Sequence, residues 1–418
     1  IRLSMSGNDK IKALILAGGY ATRLQPLSLR IPKVMVPIAG KPVLEHLISM
    51  LKNAGITDIV VSLNKNQRVI EKHFGDGRKF GVILSYVYED SMTDEDKFGA
   101  IGAIAYALSK AGVPKECIVI GGDNIVMGLD LKKMREEHKK NKSMITVAFF
   151  KLAKKEHAQH YGIAKLDSKN RILDFQEKPR AEEAFSTLAS TLVYHIEEEF
   201  LHEYLPAYIN KRKLLGSKPD RPGDMLKHFV DKLPLYGHAF EGMWGDTNTV
   251  ETYLDTNRQA MSFMKGSVPK KVSCRLLGES QIVLSEKAII DETTVIKAPA
   301  IVEDGVKIGK NCVIGPCAHL GKNVQVGDNS NIAESIIFPN VKIGGNARVH
   351  YAIIDESTVL GDYCSVEDYS MIGFECSIGK KTIVMPYSKI WPKLSISPGS
   401  MISGEVITKS AKESESKK

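Results

Sequence analysis

Along residues 11–150 the apolar positions gather into short runs of two kinds. Runs at 14–17, 59–63, 82–88, 117–120 and 144–150 are rich in β-forming residues and predict strands. Between them, 43–53 carries Leu44, Leu47, Ile48 and Leu51 at helical spacing and stops at Gly55, and 69–74, 99–108 and 129–142 read as further helices. Strand and helix thus alternate, the pattern of a parallel sheet covered on both faces, whose ligands gather beyond the carboxyl ends of the strands. Two strands around the polar turn at 167–170 predict a hairpin, followed by helices over 197–213 and 224–230.

The period then changes. From Leu284 an aliphatic residue recurs every six positions through Ile290, Ile296, Val302, Ile308, Ile314, Leu320, Val326 and Ile332 to Phe338. The count slips by one before Ile343 and again before Ile354, and runs on to Ile402. A period of six fits neither a helix nor an alternating strand and predicts a hexapeptide-repeat parallel β-helix. Glycine follows the aliphatic position at Gly309, Gly315, Gly321, Gly327, Gly344, Gly361, Gly373 and Gly379, where it is expected to supply a left-handed corner. Small residues such as Cys312, Ala318, Ser330, Cys364 and Cys376 stand two places before the aliphatic residue, where the turn is tightest. The fold expected is therefore α/β, a Rossmann-like doubly wound mixed sheet, followed by an all-β left-handed parallel β-helix. The boundaries read as a flexible N-terminus over 1–10, an α/β domain over 11–265, a linker over 266–280, the β-helix over 281–406 and a disordered polar tail over 407–418.

Composition narrows the function classes. The 418 residues exceed one ordinary core, so two domains are expected. The net charge of +8 is spread among interleaved Lys and Glu with no aromatic-basic module, which argues against nucleic acid and for a surface that tolerates anionic substrates. The six cysteines form no Cys-x-x-Cys pair and no zinc spacing, as in a reduced cytoplasmic protein. No apolar run reaches the ~18 residues of a membrane span, the opening Ile1-Arg2-Leu3-Ser4 is too short for a signal peptide, and Met5 is a candidate start.

Four stretches carry chemistry. Leu14-Ile15-Leu16-Ala17-Gly18-Gly19 delivers a glycine loop at the end of a strand, with Thr22, Arg23 and Lys33 behind it, an arrangement for holding phosphates. Gly121-Gly122-Asp123 ends another strand in a carboxylate that is costly to bury without a cation or donor. Glu177-Lys178-Pro179 sets a carboxylate beside an ammonium where the hairpin ends, by itself a solvated exit, and Trp244-Gly245-Asp246 supplies a further carboxylate in what alone reads as a turn.

With Thr22-Arg23-Leu24, Pro26-Leu27 and Pro32-Lys33, the opening loop resembles the signature of the sugar-phosphate nucleotidyltransferases, also called nucleotide-sugar pyrophosphorylases. That family's usual form is Gly-Gly-x-Gly-Thr-Arg-Leu-x-Pro-Leu-Thr; here Ala21 replaces the later glycine and Ser28 the threonine. The resemblance implies a Mg²⁺-dependent transfer of a nucleotidyl group from a nucleoside triphosphate to a sugar 1-phosphate. Leu16, Ala17, Gly18, Gly19, Thr22, Arg23, Lys33 and Gly99 would bind the nucleotide. Gly162, Glu177, Lys178 and Thr191 would bind the sugar phosphate. Arg23, Lys33 and Asp123 would be catalytic, and Asp123 and Asp246 would hold the metal. It also implies a homo-oligomer built through the β-helix, without nucleic-acid or membrane partners. Residues 335–339 and 390–392 resemble mannose-1-phosphate guanylyltransferases and glucose-1-phosphate nucleotidyltransferases in style. Two alternatives stand beside this reading: a non-catalytic scaffold of the same architecture, and a bifunctional uridylyltransferase/acetyltransferase using His319 or His350.

Overall fold

A computed structural model describes residues 11–65, 67–89, 98–217 and 221–407. The flexible N-terminus expected over 1–10, the acidic stretch 91–97 and the tail from 408 lie outside the described residues. Contacts divide the chain into two units. The first takes the described residues of 1–20, 32–35 and 43–244, and the second takes 21–31, 36–42 and everything described from 245. The division falls at 244/245 rather than at the sequence-read linker, and the segment 21–31, which carries Thr22 and Arg23, belongs with the second unit.

The first unit is a nine-stranded mixed sheet of β1 (Ile11–Leu16), β2 (Asp58–Asn64), β3 (Ile83–Glu89), β4 (Glu116–Gly121), β5 (Ile145–Lys151), β6 (Gly162–Leu166), β7 (Ile172–Glu177), β8 (Leu188–Glu197) and β9 (Leu235–Phe240). Its order is β7-β6-β8-β4-β1-β2-β3, with β5 also paired to β8 and β9 to β5. β1, β2, β3 and β4 run parallel, and β8 runs antiparallel to β4. Leu14, Ile15, Val60, Val61, Val119 and Ile120 are all buried, because central parallel strands with helices on both faces have no solvent side. Helix Val43–Asn53 buries Val43, Leu44, Leu47, Ile48 and Leu51 on one stripe. It stops where Gly55 takes φ +80° and the Ile56 amide returns to the Leu51 carbonyl at 2.9 Å. Helix Leu131–Lys140 is begun by Asp130, whose carboxylate accepts from the Lys132 and Lys133 amides at 3.0 Å. Where a helix was expected over 197–213, β8 runs to Glu197, and a π turn at Phe200–Tyr204 leads into helix Leu205–Leu214.

The second unit is a three-sided left-handed parallel β-helix whose faces hold eight, eight and seven short strands. Successive coils pair eighteen residues apart, as Val295 with Val313 and Ala300 with Ala318. Both slips in the hexapeptide count are coils one residue shorter, seen where Gln325 pairs with Lys342 and Lys342 with Val359. The aliphatic column fills the interior, including Ile296, Ile314, Ile332, Val349, Val366 and Val384. The small residues line it as expected. The hydroxyl of Thr358 donates to the Gly373 carbonyl at 2.7 Å, and the thiol of Cys312 does the same to Gly327 at 3.2 Å.

The role expected of the repeat glycines is corrected by the backbone. Of the eight, Gly315 alone has positive φ. The left-handed corner falls on non-glycine residues instead, among them Asn311, Asn329 and Asn346 in one column and Asn323 and Asn340 in another. Asparagine tolerates that conformation better than most residues, and stacked amides add bonds such as Asn311 Nδ2 to Asn329 Oδ1 at 3.3 Å. Glycine is needed because the next coil comes too close. A Cβ on Gly344 would stand 2.6 Å from the Asp362 amide nitrogen, and one on Gly361 would stand 2.6 Å from that of Lys380.

Candidate active site

In the first unit the carboxyl ends of β1 to β4 are knitted together. The Ala17 amide donates to the Ser62 carbonyl and the Gly122 amide to the Leu16 carbonyl, each at 2.8 Å. Gly18 and Gly19 follow, their carbonyls accepting from Asn64 Nδ2 at 3.4 Å and Gln67 Nε2 at 3.2 Å. Gly19 is exposed, with open space where a Cβ would be, whereas a Cβ on Gly18 would press on Glu89 Oε1 at 3.1 Å. Glu89 ends β3, is 4% exposed and accepts from Ser62 Oγ at 2.7 Å. Burial pushes its carboxyl above the usual range, and the Ser62 hydroxyl pulls it part of the way back.

A Cβ on Gly122 would stand 2.7 Å from the Leu16 carbonyl oxygen and 3.1 Å from Val34 Cγ1, so glycine there lets the β4 turn lie against the end of β1 and the Lys33–Met35 turn. The result is that Lys33 Nζ donates to Asp123 Oδ2 at 2.6 Å. Lys33 is 8% exposed and the Asp123 side chain 34%, so the ammonium is enclosed while the carboxylate still faces outward. Next to them runs a chain of polar contacts. Trp244 Nε1 donates to Asn124 Oδ1 at 3.1 Å, and Asn124 Nδ2 donates to the Thr191 carbonyl at 2.7 Å. Tyr161 packs on the Trp244 ring at 4.6 Å between centroids.

Gly162 and Glu177 face each other across the β6–β7 hairpin. A Cβ on Gly162 would stand 2.6 Å from Phe175 Cζ and 2.9 Å from Glu177 Oε2, and one on Gly223, in helix Pro222–Phe229, would collide with Glu177 Oε2. Two glycines therefore hem in this carboxylate. Burial raises its pKa; Lys178 and Arg221 oppose that shift, and Asp224 adds to it. Lys178 leaves the hairpin with φ +48° and its side chain exposed, its amide bonded to the Tyr161 carbonyl at 3.1 Å. Thr191 is 1% exposed, and its hydroxyl donates to the Ala148 carbonyl at 3.0 Å. Its carbonyl holds the Asn124 amide. Gly99, with φ +69°, opens helix Gly99–Ala111 directly after residues outside the described set.

In the second unit, Thr22 and Arg23 are exposed on the single turn Thr22–Leu24, whose anchors Leu24 and Leu27 are fully buried. Ala21 stands at φ +52°, the conformation that a glycine there would adopt at less cost. Ser28 keeps a hydroxyl that donates to the Ala21 carbonyl at 2.8 Å. Asp246 Oδ1 accepts from the Asn248 amide at 2.9 Å, and its carbonyl accepts from Thr256 Oγ1 at 2.8 Å. Among the described residues no group of three or more His, Cys, Asp or Glu gathers as an all-protein metal cage. Mg²⁺ is commonly held by one or two carboxylates together with substrate phosphates, and the outward-facing Asp123 carboxylate of the first unit is a hard-oxygen donor of that kind. His319 is 3% exposed, with Nε2 bonded to Glu303 Oε1 at 2.6 Å, and His350 Nδ1 is bonded to Asp368 Oδ1 at 2.7 Å.

Glu89, Asn124, Trp244 and Gly223 join the site residues without having been singled out for it in the sequence. Trp244 was named only as part of the Asp246 stretch, two places before that carboxylate, and Asn124 directly follows Asp123; Glu89 and Gly223 carried no motif. No helix among the described residues is long and apolar enough to cross a membrane.

The family model described as Nucleotidyl transferase matches residues 12–262, and one described as GMPPB C-terminal domain matches residues 296–407. The UTP–glucose-1-phosphate uridylyltransferase of Synechocystis is 33% identical over 264 residues, which cover 60% of this chain and 64% of that protein. The mannose-1-phosphate guanylyltransferase of Mycobacterium tuberculosis is 26% identical over 260 residues, covering 62% and 66%. The chain thus spans slightly less than two thirds of each of these relatives. The bifunctional protein GlmU of Methanococcus maripaludis is 29% identical over 374 residues, covering 89% of this chain and 79% of that protein. Among solved structures, a putative glucose-1-phosphate thymidylyltransferase from Bacillus anthracis, in complex with sucrose, superposes with a TM-score of 0.53 at 25% identity. It covers 62% of this chain and 98% of that one.

Proposed function

The chain belongs to the nucleotidyl transferase family, and from that premise we propose that it joins a nucleoside triphosphate to a sugar 1-phosphate, releasing pyrophosphate and an NDP-sugar. The supporting observation is the convergence, at one edge of the sheet, of the Gly18-Gly19 loop with the Lys33–Asp123 pair. A phosphate oxygen of the sugar phosphate attacks the α-phosphorus and the P–O bond to pyrophosphate breaks, so no side-chain nucleophile is required. The protein's task is to align two anions and to offset the charge that builds up between them.

Within this reading Lys33 neutralises phosphate charge and, through its 2.6 Å hydrogen bond, holds the Asp123 carboxylate in place. Arg23 and Thr22 serve the triphosphate, and Leu16, Ala17, Gly18, Gly19 and Gly99 supply backbone to the nucleotide. Glu177, held between Gly162 and Gly223, accepts from sugar hydroxyls, while Lys178 meets the sugar phosphate. Mg²⁺ is the cofactor, with Asp123 and Asp246 as its carboxylates, and it supplies Lewis-acid stabilisation of the reacting phosphates. We extend the reading to a cytoplasmic homo-oligomer, in which six cysteines that are all free and buried suit a reducing compartment. The base and sugar lean toward GDP-mannose or dTDP- or UDP-glucose, in keeping with the relatives' activities. Retention of Arg23, Lys33, Asp123, Lys178 and Asp246 favours an enzyme over a scaffold, and the enclosed His319 weighs against acyl transfer.

The test is a pyrophosphate-release screen of the common nucleoside triphosphates against glucose, mannose and N-acetylglucosamine 1-phosphates with Mg²⁺. Release with at least one pair is expected. Silence across the whole grid overturns the proposal.

A further inference from the structure

The segment 21–31 is fastened to the β-helix at two points. Near its start, Lys389 Nζ donates to the Arg23 carbonyl at 3.5 Å. At its other end Arg30 forks: one terminal nitrogen is 2.5 Å from Asp355 Oδ1 and the other 2.6 Å from Glu356 Oε2, and its guanidinium lies 5.9 Å from the Phe338 ring centroid. The Asp355 side chain is fully buried, and its Oδ2 has no hydrogen-bond partner among the described residues. Burial drives the Asp355 pKa up, and Arg30 is the main group opposing that shift. A carboxylate in that position depends on the Arg30 guanidinium, since removing a single partner of a buried ion pair leaves an uncompensated charge.

Such a pair could simply brace a domain. Two features point further. The residues it spans include Ala21, Thr22 and Arg23, half of the phosphate-binding signature, and by their contacts they belong with the β-helix rather than the sheet. The Arg23 side chain is left exposed while its carbonyl is tethered and its neighbours Leu24 and Leu27 are buried. A tethered backbone beneath a free guanidinium is how a ligand-binding arginine is presented at low entropic cost. We propose that Arg30 is a positioning residue, and that the β-helix coil bearing Asp355 and Glu356 holds the Thr22–Arg23 turn in its triphosphate-binding conformation. This rests on the function proposed above and adds to it a role for the C-terminal domain in setting nucleotide affinity.

The experiment pairs kinetics with hydrogen exchange on full-length Arg30→Ala, Arg30→Lys, Asp355→Asn and Glu356→Gln proteins. Exchange of the peptide covering 21–31 without substrate is expected to speed up about tenfold in Arg30→Ala and Asp355→Asn while the β1 peptide is unchanged. KM for the nucleoside triphosphate should rise about tenfold in the same variants, with the sugar-phosphate KM within about twofold, and Arg30→Lys should recover part of the loss. The Arg30→Ala/Asp355→Asn double variant should cost little beyond either single one. Unchanged exchange at 21–31, or equal shifts in both KM values, overturns the inference and leaves the proposed reaction standing. A wild type inactive with every substrate pair defeats the reaction, and the exchange arm alone then decides whether the clamp exists. Should Arg30→Ala not fold, Glu356→Gln and Asp355→Asn carry the same comparison.

Discussion

Lys33 and Asp123, ninety residues apart, meet at 2.6 Å with the lysine enclosed and the carboxylate partly open. The asymmetry sets the expected consequences of changing each. Asp123→Asn keeps the shape and removes the charge, so pyrophosphate release should fall by at least about 10²-fold with the melting temperature little changed. Lys33→Met removes the enclosed cation and should lower both activity and stability. Near-normal turnover of Asp123→Asn would remove this carboxylate from the mechanism.

The crowding around Glu177 gives a second prediction. Gly223→Ala puts a methyl group where Glu177 Oε2 now lies, so the carboxylate must swing away. The KM for the sugar phosphate should rise about tenfold or more, while that for the nucleotide moves much less. Equal effects on both substrates would mean that Glu177 does not face the sugar.

Ala21 holds a left-handed conformation at φ +52° that costs an L-residue about 1–2 kcal/mol, part of which a glycine would return as unfolded-state entropy. Ala21→Gly should therefore stabilise the protein by up to about 1 kcal/mol, read as a rise of about 2 °C in melting temperature. A lower melting temperature would show that the alanine methyl makes contacts worth more than its strain.

Away from the site, His138 and His195 stack at 3.7 Å with both side chains fully buried. His138 bonds Thr146 Oγ1 at 2.8 Å and Glu197 Oε1 at 2.9 Å, and His195 bonds Glu116 Oε2 at 3.1 Å; Arg135 and Lys139 face the same Glu116. Burial first, then the nearby positive groups, lowers the His138 pKa from 6.5 to about 3, against the pull of Glu116. The unfolded chain thus takes up this proton below pH 6.5, and the folded one does not until about pH 3. The stabilisation is fully present above 6.5 and is lost as the pH falls through that window, at up to about 1.4 kcal/mol per unit. His195, lowered mainly by burial, adds to the same slope. Denaturant midpoints at pH 7.5, 6 and 5 should fall steeply for the wild type and more gently for His138→Gln. Parallel slopes would refute the account.

Local periodicity made much of the architecture legible. Strand–helix alternation forecast the parallel core from β1 to β4, and the six-residue period forecast the β-helix, its two slips marking the short coils. The Gly18-Gly19 loop, Asp123 and the Glu177–Lys178 pair could be singled out as candidates because their motifs are contiguous in the chain. Glu89, Gly223 and Arg30 could not be, since each matters through a partner more than 40 residues away or through a steric limit that leaves no pattern in the chain. The repeat glycines show the opposite error. Their positions were readable, but their reason was taken to be backbone conformation, whereas the neighbouring coil imposes it. Thr191 was placed by family order alone, and the bond from its hydroxyl to the Ala148 carbonyl is a tertiary contact that leaves no pattern in the chain.

One feature of the β-helix bears on how such a chain can change length. Each coil passes its backbone hydrogen bonds to the next, and a missing residue is absorbed at a corner without disturbing the interior column, as the pairs Gln325–Lys342 and Lys342–Val359 show on one face. The solenoid is therefore quantised: it can gain or lose whole turns but not fractions of one. A turn inserted beyond Ile390 would leave the coils bearing Phe338 and Asp355 at their present rank, so the reach of this domain and its hold on the loop can vary independently.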